Sequence, residues 1–194
     1  MKLPATSQRK SDGLSSPSSG PSLSIAGARD PWWTALLFAG GYLLFGMLDA
    51  WLSFVVDANP PTTIAPGAKL PPIWPPSWVF WAVWIVIYPG KGLAIWSVWR
   101  LRKRFDLRWF YGFALLLFLM DMAFLPISAL TNNNPAVLSL MDSGGIIFLP
   151  LSAWIYGRYT KTALLWLIPI FLWGPFTLFI KVWLWLLNGH TGAI

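Results

Sequence analysis

The chain has no cysteine, no glutamate and a single histidine, His190. Each shortage removes a chemistry. Without cysteine there is no disulfide, no thiolate nucleophile and no Cys/His zinc site. One histidine close to the C-terminus leaves a histidine-dependent triad without a credible base. Charge is scarce too: 11% of the 194 residues are charged, where a soluble domain carries about 25%. With 56% of residues hydrophobic, this is the composition of a membrane protein. Seven Asp face 14 Lys plus Arg, giving a formal charge of +7. Such a balance is compatible with nucleic-acid binding until the positions of the bases are considered.

Residues 1–30 contain no apolar run and are rich in Ser, Pro and Gly. They read as a disordered tail rather than a signal peptide, although the Ser-rich, basic composition also resembles a transit peptide. Five apolar spans follow, over about 32–56, 78–99, 109–130, 136–156 and 162–187, each near the roughly 20 residues that cross a bilayer core. They lack the alternation of barrel strands, and in lipid the backbone must satisfy itself, so all five are expected to be helices. The expectation is an all-α, five-helix transmembrane domain over 31–188 and a short tail over 189–194. Prolines at 89, 126, 150, 169 and 175 interrupt four of the spans. No internal repeat is visible, which disfavours a repeat-built ion transporter.

The bases set the orientation. Lys2, Arg9, Lys10 and Arg29 lie in the tail, Arg100, Arg102, Lys103, Arg104 and Arg108 between spans two and three, and Arg158 and Lys161 between four and five. Five crossings put these segments on one side, and the other side has Lys69 alone. The asymmetry predicts a cytoplasmic N-terminus and an outer C-terminus, with a bacterial inner membrane as the setting. The basic loop then faces anionic headgroups, and nucleic acid is not expected as a partner. Trp96, Trp99 and Trp109 flank that loop as an interfacial belt. On the outer side, the Pro-rich connection from about Asp57 to Ile73 suits either a lid or an inert linker.

Two stripes carry the candidate chemistry. In span two, Trp84, Tyr88 and Lys91 share a helix face, with Trp81 at its edge. In span five, Trp173, Thr177 and Lys181 repeat the arrangement at steps of four. Facing each other, the stripes would form an aromatic slot with ammonium groups, suited to a flat apolar molecule with acidic substituents. The plainer reading is helix packing, and spacing alone leaves both open. Asp49, Asp121, Asp142, Lys91 and Lys181 all fall inside spans, where ions pair or line a path. Depth along the helices predicts a Lys91–Asp121 pair near the midplane and a Lys181–Asp142 pair further out, with Asp49 nearby.

The segment Pro75, Pro76, Ser77, Trp78, Val79, Phe80, Val83, Trp84, Tyr88, Gly92, Ala94, Trp96, Val98, Trp99 and Arg100 resembles the TspO/MBR family, the tryptophan-rich sensory proteins related to the mitochondrial translocator protein. Ala163, Leu164, Leu165, Pro169, Trp173, Trp185, Leu187 and Asn188 extend the resemblance into span five. It implies a five-helix bundle, often a homodimer, that binds a tetrapyrrole such as protoporphyrin IX under its first loop. No cofactor is expected to be required; a porphyrin would be the bound ligand. Trp84, Tyr88 and Trp173 match family pocket positions.

The departures are specific. Thr177 stands where the family commonly has Ala, Lys91 where it has Met and Lys181 where it has Asn. Asp121 replaces a Gln, Leu125 and Ser128 replace Asn and Trp, and Ile170 replaces a Tyr. The connection over 57–73 lacks the family's aromatic pair, which argues against light-dependent porphyrin breakdown. Three functions therefore stand at this level: a receptor or regulated transporter for a flat amphipathic ligand, a porphyrin-degrading enzyme, and a ligand-free assembly partner in a membrane complex. The first is favoured, with Lys91 and Lys181 expected to meet acidic groups.

Overall fold

The computed structural model describes residues 30–56, 68–132 and 134–188. The expected tail before Asp30, the central part of the first connection and the expected tail over 189–194 lie outside the described residues. The chain forms α1 (Trp33–Val56), α2 (Ser77–Trp99), α3 (Arg108–Leu130), α4 (Pro135–Tyr159) and α5 (Lys161–Asn188), with no strand among the described residues. These are helices of 23 to 28 residues. At about 1.5 Å per residue each exceeds a hydrocarbon core of ~30 Å, and all five are apolar enough to cross it. The protein is an all-α integral membrane protein.

Local chemistry accounts for several boundaries. Pro75 and Pro76 lead into α2, with Pro76 in an extended conformation. Asn134 caps α4 by accepting the Ala136 N–H at 2.9 Å, and Pro135 takes the first helical position, where no N–H is needed. Asn132 in the α3–α4 turn has φ 50°, a left-handed conformation that Asn tolerates better than most residues. The α4–α5 connection is shorter than expected. Helix α4 continues through Arg158 to Tyr159, and extended Thr160 alone separates it from Lys161, so both bases belong to helix ends. Pro89, Pro126, Pro150, Pro169 and Pro175 all lie within continuous helices.

Around the bundle, α3 packs on α1, α1 on α2, α2 on α5 and α5 on α4, while α3 and α4 touch only sparingly. The core is not central. Ala94 and Val98 at the end of α2, Leu107, Phe110 and Ala114 at the start of α3, Tyr156 near the end of α4, and Ala163 and Leu167 at the start of α5 form one buried cluster at the end that carries the bases. Phe110 stands edge-on to Tyr156, with ring centroids 5.0 Å apart. Asp30 and Arg102 tie the start of α1 to the α2–α3 connection at the same end through a bidentate pair of 2.6 and 3.0 Å, and the guanidinium holds the Asp30 carboxyl below its ordinary range.

The tryptophans at this end do two jobs. Trp109 is 90% exposed and faces the surroundings, as an interfacial anchor does. Trp96 and Trp99 are instead half-buried. Trp96 donates its indole N–H to Thr34 Oγ1 at 2.9 Å, while Trp99 packs on Phe38 and carries the Arg102 guanidinium 3.5 Å above its ring.

Helix α1 approaches α2 where side chains vanish. A Cβ on Gly92 would collide with the Phe38 carbonyl, backbone against backbone. Gly92→Ala is therefore expected to destabilise the bundle by about 1–3 kcal/mol, because neither wall can step aside. Gly40→Ala in α1, whose Cβ would meet nothing within 4 Å, should hold or slightly raise the melting temperature in detergent. Equal melting temperatures for the two variants would rule out this close contact.

Candidate functional site

Packing at the basic end leaves the opposite half of the bundle open. There all five helices surround a cavity of about 510 Å³, within the range of small-molecule sites. Trp81, Trp84, Tyr88, Lys91, Trp173, Thr177 and Lys181 all line it, so the two stripes face one space. Helix spacing supplies the local reason: steps of three and four keep one face of α2 and one face of α5 turned inward.

The walls are interlocked rings. Trp84 and Tyr88 lie tilted at 5.2 Å, and Tyr88 continues to Tyr42 of α1 at 6.1 Å. On the α5 side Trp173 stands edge-on to Phe80 at 5.5 Å, and Phe80 meets Trp74 at 5.7 Å. Gly46 permits the Tyr88 position, since a Cβ there would come within 2.5 Å of the ring. The Thr177 hydroxyl donates to the Gly174 carbonyl at 2.9 Å, so it is engaged on its own helix. Trp173 carries a buried indole N–H with no acceptor among the described residues.

The charges sit in two places. Lys91 Nζ lies 2.7 and 2.6 Å from the two oxygens of Asp121, and the Tyr42 hydroxyl donates to the same carboxylate at 2.8 Å. Lys181 Nζ lies 2.9 Å from Asp142 Oδ2. That oxygen has no hydrogen bond of good angle, so charge attraction rather than a well-aimed N–H holds this pair. Both lysines also face rings: Lys91 is 5.8 Å from the centre of Trp84, and Lys181 is 4.5 Å from that of Phe124. Each ammonium thus already has a carboxylate. A ligand acid must displace an aspartate or share the ammonium with it.

Asp49 is the remaining acid expected within the spans, near the two pairs. It is buried on α1, whose main neighbours are α2 and α3, and interacts electrostatically with Asp121 and Tyr88. It is not among the residues that line the cavity.

Two features of the outer mouth lay outside the stripe pattern. Trp74, one residue beyond the 57–73 stretch that lacks Trp and Tyr, lines the cavity. Its aromatic character and its position before the Pro75–Pro76 signal were the available clues. Asn188 at the end of α5 accepts the Lys69 N–H at 2.8 Å and donates to the Lys69 carbonyl at 2.9 Å, holding the described end of the first connection against the mouth. Of the lid-or-linker segment, 57–67 lies outside the described residues.

The TspO/MBR family model matches residues 34–186, nearly the whole chain. No curated protein and no solved structure matches.

Proposed function

Because the chain belongs to the TspO/MBR family, we propose that its cavity binds a flat amphipathic ligand, a tetrapyrrole in first place, for sensing or regulated transport. The observation that carries this reading is the aromatic enclosure: Trp74, Phe80, Trp81, Trp84, Tyr88 and Trp173 all face one intramembrane space. Rings from two adjoining helices suit a planar ligand, since offset and edge-on contacts add to the burial of apolar area. A bilayer-embedded site also suits a ligand carried in the lipid phase. Trp84 and Tyr88 would form one wall and Trp173 the other, with Thr177 shaping the outer part. The test is a titration of detergent-purified protein with protoporphyrin IX, followed by tryptophan quenching. Saturable binding at one site supports the reading; a linear response equal to partition into empty micelles, for protoporphyrin IX and for its dimethyl ester alike, rejects it.

The proposed setting is a bacterial inner membrane with the N-terminus in the cytoplasm, from the eleven bases in segments sharing one side against Lys69 on the other. A fluorescent reporter fused to the C-terminus, active only in the cytoplasm, is expected to stay dark, and an N-terminal fusion to light up. The reverse pattern would invert the orientation and place the cavity mouth inside.

A further inference from the structure

The charged side chains lining the cavity, among the described residues, are Lys91, Asp121, Asp142 and Lys181, two of each sign. They occur as two ion pairs, at 2.6 and 2.9 Å, and every member is less than one-fifth exposed. The cavity therefore offers no net positive charge to an incoming anion. On one side the acid is held twice, by Lys91 and by the Tyr42 hydroxyl. An anionic ligand has two routes, and both are unfavourable. It can displace an aspartate, leaving a buried carboxylate without its base, or enter beside the pair and add charge to a poorly solvated space. An uncharged ligand meets neither obstacle.

A second observation agrees. Helices α3 and α4 touch sparingly, and Leu140 of α4 lines the cavity while remaining 73% exposed. The space thus reaches the lipid-facing surface of the bundle, the side from which uncharged apolar molecules arrive.

Resting on the reading of the cavity as a flat-ligand site, we propose that it selects ligands without net negative charge, so that an esterified or otherwise uncharged tetrapyrrole binds in preference to the free dicarboxylic acid. The two ion pairs are the selectivity element: they hold the lysines that would otherwise receive ligand carboxylates.

The experiment compares protoporphyrin IX with its dimethyl ester at neutral pH and fixed detergent concentration. Empty micelles at the same detergent concentration supply the baseline for partition, and only binding above it is counted. The ester is expected to bind at least about tenfold more tightly than the acid. In an Asp121→Asn/Asp142→Asn variant the lysines lose their carboxylates, and the preference should shrink or reverse. Acid bound as tightly as ester by the unaltered protein overturns the proposal, whether or not the Asn variant folds. An ester preference that persists unchanged in a folded Asn variant also overturns it, since the pairs would then have no part in selection. If neither ligand saturates, the flat-ligand reading itself fails, and this inference with it.

Discussion

Asp121→Asn is expected to destabilise the protein by about 3–5 kcal/mol, because it strands the Lys91 ammonium within the membrane-spanning part of the bundle. The magnitude follows from the asymmetry of buried pairs. Removing one partner leaves the other with its full desolvation cost, while removing both eliminates the cost together with the attraction. The double variant Lys91→Met/Asp121→Asn should therefore recover most of the loss. The two substitutions interact through one contact, so their effects should be strongly non-additive. Thermal unfolding of the two single variants and the double variant in one detergent checks this. Simple addition of the single effects would mean that Lys91 and Asp121 are not energetically paired. Lys181→Met should behave similarly toward Asp142, but more weakly, because that contact lacks a well-aligned hydrogen bond.

The second large effect concerns the walls. Trp84→Leu together with Trp173→Leu should weaken protoporphyrin binding by about 2–4 kcal/mol, or roughly thirty- to a thousandfold, as loss of two aromatic anchors does at a binding site. The rings stand on different helices and contact different partners, Tyr88 for Trp84 and Phe80 for Trp173. Each single change should leave one wall intact and have the smaller effect. Leucine keeps the sites apolar, so the melting temperature should fall much less than the affinity. Undiminished binding in the double variant would move the ligand elsewhere. A proportionate loss of stability and binding would assign both tryptophans to packing.

The sequence states the membrane class, the five crossings and the helical nature of each, because these depend on segment length, apolar content and backbone satisfaction in lipid, all local properties. The family was legible for a related reason: the Trp- and Pro-bearing motif of α2 is contiguous in the chain. Parts of the candidate site were local as well. Trp84, Tyr88 and Lys91 share a face through helix periodicity, and so do Trp173, Thr177 and Lys181. Whether those faces meet is a question of helix azimuth and neighbour order, which periodicity within one helix does not contain.

Tertiary structure decided the rest. Packing of α2 between α1 and α5 turned the two stripes into one cavity, and the cluster around Phe110 closed the basic end while leaving the other half open. The same arrangement brought Trp74 into the wall and fastened Asn188 to the backbone of Lys69. The pairs Lys91–Asp121 and Lys181–Asp142, by contrast, were legible from depth along the helices and are present in the structure. Charge count and depth are written along a chain and pair each lysine with its aspartate; the contact that leaves both ammonium groups engaged is set only when side chains of separate helices come within about 3 Å of each other.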